Sequence, residues 1–229
     1  MIGAYSGYWN DRNELQVSGR TSLITHPRNG RIAPARDGIH VQLGGDITTD
    51  VDFGKSRPVR YTHGGVGRTG PEDRRLSERR LVFVSGPPLL TGYYNNHIQI
   101  FQNADHVVLL IEMGWDARIV SLEEKPHIDS SIEQWSGDSC GYWDGNTVVV
   151  ETRNFSEKVG NGKDRLLIER FAPTAAGVLE YEFTVDDQTT FTDKIVGISS
   201  MTSVEDSIYE FACHSGNYAM AGILRAGRV

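Results

Sequence analysis

The feature that most constrains this chain is the grammar of its second half. From His97 to His214, short runs rich in Val, Ile, Thr, Tyr and Phe follow one another, cut by Gly, Asn, Asp and Pro. β-Branched and aromatic side chains suit a pleated, half-buried surface, and the cutting residues supply turns, so each run reads as a strand. The runs are HIQIFQ, HVVLLIEM, ARIVSL, NTVVVETRNF, DRLLIERFA, GVLEYEFTVDD, TDKIVGISSM and SIYEFACH. Asp144-Gly145-Asn146, between GYW and TVVVE, is a strong hairpin turn, and Ala176-Gly177 a weaker one. Strands spaced this closely leave no room for crossover helices. The expected fold is mainly β, a single-domain antiparallel barrel or sandwich rather than a βαβ sheet.

The first half is less regular. Tyr5 to Gln16 and Ser18 to Thr25 each read as a strand, and Pro27 to Pro71 is rich in Gly, Pro, Arg and Asp. So long a loop is uncommon in a compact domain unless it covers a site or docks a partner, which makes 27–90 a loop-rich insertion or lid, or an arm for a homo-oligomer. Pro71 suits the first turn of one short helix ending near Val84. The 229 residues are expected to form one domain over 1–229.

Charge excludes some partners. A net charge of -7 argues against nucleic acid, whose phosphates need a basic face. The local cluster Arg74, Arg75, Arg79 and Arg80 is interleaved with Glu72, Asp73 and Glu78 and reads as a solvated helix face. No apolar run approaches the ~20 residues of a membrane helix. Met1 to Leu15 lacks the charged-then-apolar layout of a signal peptide, so a cytoplasmic protein is expected as given, and a secreted or periplasmic one if a signal was removed. Cys140 and Cys213 have no CxxC spacing and read most simply as free thiols.

Several segments together carry a resemblance. GRTSLITHPRNGRI, YYNNHIQIFQ, EMGWDARIVSL, GDSCGYWDGNTVVVETRNF, LIERF, YEFTVDD and YEFACHSGNY resemble an uncharacterised bacterial family. Its pattern reads close to RTSLI, DGRI, YNN-QI, EM-HDARIIPL, GDS-GRWEGDTLVVET-NF and YE-ACHEGNY. The match spans most of residues 19 to 218, and it implies no particular reaction. The chain departs from that pattern at Trp115, where His is usual, and at Cys140, where Arg is usual. The opening SGYW also resembles the G-x-W of lipocalins and other calycins, which implies a calycin-like barrel with a Trp closing its base.

Motifs with specific chemistry are mostly excluded by context. Gly65-Val66-Gly67-Arg68-Thr69-Gly70 matches GxGxxG, but no buried strand precedes it, so no dinucleotide and no other cofactor is expected. The seven histidines show no HxH, HxxxH or HExxH spacing. A metal site assembled from His97, Glu112 and His127 would lack any local pair of ligands, and no metal is expected. There is no GxSxG elbow, and Cys213 and His214 point to opposite faces of a strand, which argues against a nucleophilic triad.

What remains is charge in an apolar setting. HVVLLIEMGWDARIVSL carries Glu112, Asp116 and Arg118 inside or beside hydrophobic runs, where an unpaired charge costs several kcal/mol. If Gly114-Trp115 makes a tight hairpin, Glu112 and Arg118 approach across it. The expected catalytic set is Glu112 as acid or base, Asp116 and Arg118 as positioning groups, and His97 or His214 as proton-transfer partner. Tyr94, Asn96 and Gln99 form a polar cluster beside a strand, and Trp115, Tyr181 and Tyr209 are candidate walls of a cavity, so all six are expected to bind substrate. Trp9 and Trp143 are aromatic candidates of the same kind, and Glu210 shares a strand face with His214. The expected function is a cofactor-independent lyase, isomerase, dehydratase or cyclase acting on a small, partly apolar organic molecule. The alternative is a lipocalin-like carrier with no chemistry.

Overall fold

A computed structural model describes residues 23–34, 36, 42–43, 47–48, 87–89, 97–112, 116–156, 164–205, 207–210 and 225. The strands are β1 (Ile24–His26), β2 (Gln42–Leu43), β3 (Ile47–Thr48), β4 (Ile98–Gln102), β5 (His106–Ile111) and β6 (Asp116–Ser121), then β7 (Asp138–Asp144), β8 (Thr147–Arg153), β9 (Leu166–Ala175), β10 (Val178–Asp186) and β11 (Ile195–Thr202). Nine of them form one sheet in the order β1-β11-β10-β9-β8-β7-β6-β5-β4. Strands β2 and β3 pair separately, within a stretch expected to be loop.

The turns follow their residues. Asp144 pairs with Thr147 around Gly145-Asn146, and Gly145 takes a φ of 65°, the positive value that a II′ hairpin places at its first central residue. Gly177 at φ 68° closes the β9–β10 hairpin in the same region of backbone space.

The expected fold is met in part, as a mainly β chain, and two further expectations are corrected. The sheet is not closed: β1 and β4 are its edges and do not pair with each other among the described residues. It is not wholly antiparallel, because β6 and β7 meet in parallel at Ser121↔Cys140. Hairpin-linked neighbours must run antiparallel, whereas the long connection 122–137 carries the chain back to start β7 in the direction of β6. Finally, Ser207 to Glu210 of SIYEFACH is not a strand, and its remainder lies outside the described residues. The Tyr5 to Gln16 strand, the helix from Pro71, the GxGxxG run and the Arg74 to Arg80 cluster also lie outside them. Among the described residues, no helix is long and apolar enough to cross a membrane.

One face of the sheet carries the core. Val107, Leu109 and Ile111 of β5, Val120 of β6, Val148 and Val150 of β8, Leu167 and Phe171 of β9, and Tyr181, Phe183 and Val185 of β10 all belong to one buried cluster. Their period of two is what strand geometry demands of residues on one face. The ring of Tyr181 lies 5.0 Å from that of Phe171 and 5.8 Å from that of Phe183. Phe183 in turn lies over Gly197 of β11, where an added Cβ would meet the ring at 2.3 Å.

Two segments from the first half cover this face. Pro34 O accepts from Thr192 N at 2.9 Å, and Arg36 N donates to Thr190 O at 2.9 Å, which straps Pro34 and Arg36 to the β10–β11 connection. Leu89, buried, joins the same core. Part of the expected insertion therefore packs into the domain.

Candidate functional site

The β5–β6 hairpin forms with Ile111 opposite Asp116 and Leu109 opposite Arg118. Arg118 therefore shares the core face with Leu109, and Glu112, one residue beyond Ile111, has the opposite parity. The expected approach of Glu112 to Arg118 is replaced by two separate pairings.

Glu112 joins His97 at the start of β4. Its backbone N donates to His97 O at 3.1 Å, and its Oε2 accepts from the His97 ring Nδ1 at 2.9 Å and from the His97 backbone N at 3.3 Å. This continues the β4–β5 register beyond Ile98↔Ile111. The carboxylate thus fixes the orientation of the imidazole while tying an edge strand to its neighbour.

Arg118 reaches across the sheet. Its Nη2 donates to Glu169 Oε2, the other Glu169 oxygen accepts from the Tyr181 hydroxyl at 2.8 Å, and that hydroxyl accepts from Leu89 N at 2.8 Å. Strands β6 and β9 are separated by β7 and β8. Three strand spacings put their backbones roughly 14 Å apart, so the two long side chains lean toward each other over the core face and span both intervening strands. Ser139 and Gly141, the β7 residues between them on that face, are small. Arg118 is 5% exposed and Glu169 0%. Burial, and then the Glu169 carboxylate, push the Tyr181 hydroxyl well above its usual pKa, which keeps it a hydrogen-bond donor.

The network leaves donors over. Nε and Nη1 of Arg118 are buried without a hydrogen-bond partner among the described residues. Arg118 also lines a cleft of about 540 Å³, with Asp116, Ala117 and Ile119 on one side and 133–139 on the other. The cleft exists because β6 and β7 touch at one register pair and then splay. Its far wall is fastened elsewhere: Gln134 N donates to Asn154 O at 2.9 Å, and Ser156 N donates to Gln134 O at 2.9 Å. Gly137, at φ 73°, lies so close to Thr152 that a Cβ would fall 2.6 Å from its Cγ2. Ser136 Oγ donates to Asp116 Oδ2 at 3.2 Å across the cleft.

The structure therefore brings Asp116 and Arg118 together in one cleft and sets His97 with Glu112 outside its walls. Tyr181 is buried in the core and acts on Arg118 through Glu169, not as a cavity wall. Gln99 stands exposed on the edge strand β4, while Tyr209, 72% exposed, and Trp143, 47% exposed, line no cavity wall described here. Tyr94, Asn96, Trp115, His214 and Trp9 lie outside the described residues.

Sequence reasoning passed over Glu169. The signal was present in LLIERFA, where strand alternation sets a glutamate between Leu167 and Phe171 on an apolar face, the same anomaly that singled out Glu112. It also dispersed His127. That residue lies not with His97 and Glu112 but with Asp138 and Cys140, the donor atoms of these three falling within 4.8 Å of one another. Burial and the Asp138 carboxylate push the Cys140 thiol above its usual pKa.

Comparison with protein-family models, with curated proteins and with solved structures returned no match.

Proposed function

We propose that the protein is a small-molecule enzyme of the lyase, isomerase, dehydratase or cyclase kind, working by general acid/base chemistry in the β6 cleft. Arg118 receives a carbonyl or carboxylate oxygen of a small, partly apolar organic substrate, and Asp116, two residues away on the same strand face, moves the proton. Glu112, the base expected from sequence, is held by His97 away from the cleft walls, and this favours Asp116 for the role. The calycin-like barrel enters the same proposal in reduced form, supported by the single nine-stranded sheet that buries its apolar residues on one face.

The observation that carries the reading is Arg118. A buried guanidinium with N–H groups unsatisfied among the described residues is costly, and Arg118 is one of the residues lining the cleft, so an acceptor oxygen that reached it from there would relieve that cost. Glu169 and Tyr181 hold it still, so little reorganisation is needed when charge develops on the substrate oxygen. The alternative, a carrier of a hydrophobic molecule, requires neither charge.

The test is a thermal-shift screen of small oxo and hydroxy acids, followed by assay of any ligand found with wild type, Arg118→Lys and Asp116→Asn. Lysine keeps a charge opposite Glu169 but loses the planar fork, so ligand affinity should fall by about tenfold or more. Asp116→Asn should keep binding and lose turnover. Binding untouched by Arg118→Lys would overturn the site, and turnover retained in Asp116→Asn would remove Asp116 from the chemistry. A ligand that binds without conversion by wild type would favour the carrier.

A further inference from the structure

The long connection 122–137 is tied back to β7 by a mixed-donor cluster on the face of the sheet opposite the core. Asp138 and Cys140, two residues apart on β7, share the face opposite Ser139 and Gly141. His127 approaches them from the connection, its ring Nδ1 donating to Asp138 Oδ2 at 2.8 Å, and the same oxygen accepts from Ile128 N at 3.1 Å. All three residues are partly buried. Glu151, the cross-strand partner of Cys140, adds a second carboxylate to its surroundings.

We propose that His127, Asp138 and Cys140 form a zinc site with one coordination position left open. Imidazole nitrogen, carboxylate oxygen and thiolate sulfur make a mixed donor set that zinc accepts without a preferred ligand field, and three protein ligands plus one exchangeable position is a recurrent zinc arrangement. Tetrahedral zinc at ordinary bond lengths sets donors roughly 3.3–3.7 Å apart, so the observed 4.8 Å limit leaves about an ångström for the side chains to close. On binding, the Cys140 thiol releases its proton to solvent and the sulfur bonds the metal, while His127 gives up its Nδ1 proton to solvent and takes one at Nε2, so that the neutral ring exchanges its hydrogen bond to Asp138 for coordination through Nδ1.

The consequence is local to the fold. Asp138 also lines the cleft, and 133–139 is its far wall. Zinc bound here fastens the connection that builds that wall. The site stands whether or not the cleft is catalytic, because it is read with the metal alone.

Titrating the full chain with Co²⁺ under reducing conditions tests it. The expected result is saturation at one Co²⁺ per chain with a near-ultraviolet thiolate-to-cobalt charge-transfer band that Zn²⁺ displaces. Cys140→Ser should abolish the band and Cys213→Ser should keep it, while His127→Ala and Asp138→Asn should each weaken binding by about tenfold or more. Variants are compared only where far-ultraviolet circular dichroism matches wild type, and the wild-type titration stands without them. No saturable band in wild type overturns the proposal. So does a band that survives Cys140→Ser, or affinity unchanged in both His127→Ala and Asp138→Asn.

Discussion

At the scale of single residues, the Arg118–Glu169–Tyr181 chain is held by mutual satisfaction more than by any one bond. Removing one member of a buried ion pair leaves the other charged, dry and alone, so Arg118→Met should cost about 3–5 kcal/mol in urea unfolding. Adding Glu169→Gln removes the stranded charge while keeping an acceptor for Tyr181. The double variant should therefore be more stable than Arg118→Met alone. Tyr181 adds a pH signature. Its hydroxyl is raised in the folded state from an ordinary value of 10.0. Above that value the unfolded chain loses a proton that the folded chain keeps, so the contribution present below pH 10 is lost as pH rises through the folded pKa. Wild type should lose stability on the alkaline side more steeply than Tyr181→Phe, measured by denaturant midpoints across that range. Residue-scale reasoning from sequence located Asp116 and Arg118 because charges in apolar runs are visible locally. The partner of Arg118 was not visible, since it comes from a strand three positions away in the sheet.

At the scale of elements, the strands were legible where turn chemistry bounded them. Gly145-Asn146 and Ala176-Gly177 close hairpins as their residues require. The parallel step from β6 to β7 was not legible, because pairing direction after a long connection depends on where the chain returns and not on local periodicity. The failure of SIYEFACH has the same root: over 207–210 its alternating pattern is met by no strand. Elements also constrain each other through single atoms. Gly197 on β11 is the floor beneath the Phe183 ring of β10, and a Cβ there meets aromatic carbons at 2.3 and 2.4 Å. Gly197→Ala should destabilise by about 1–3 kcal/mol through overpacking. Pairing it with Phe183→Leu should recover part of that loss in the same unfolding measurement.

At the scale of the whole molecule, one face of the sheet collects its apolar side chains, and Ala33 and Leu89 pack into the same core. The sequence pattern anticipated a mainly β chain, yet whether a long meander closes on itself is a property of edges far apart in the chain; among the described residues β1 and β4 end the sheet. The junction of β6 with β7 has a mechanical meaning beyond the cleft it opens. Among the described residues, Ser121↔Cys140 is the single register pair joining 97–112 and 116–121 to the β7–β11 block, whereas β8, β9 and β10 are laddered along most of their lengths. Cooperative units of unfolding divide where such ladders are thinnest. Native-state hydrogen exchange in low denaturant should show the amides of 98–121 losing protection together, before those of 147–186. The Arg118–Glu169 contact bridges this seam, so the residue that addresses the cleft also acts as a latch between two folding units, and filling the cleft should raise the protection of the first unit toward that of the second.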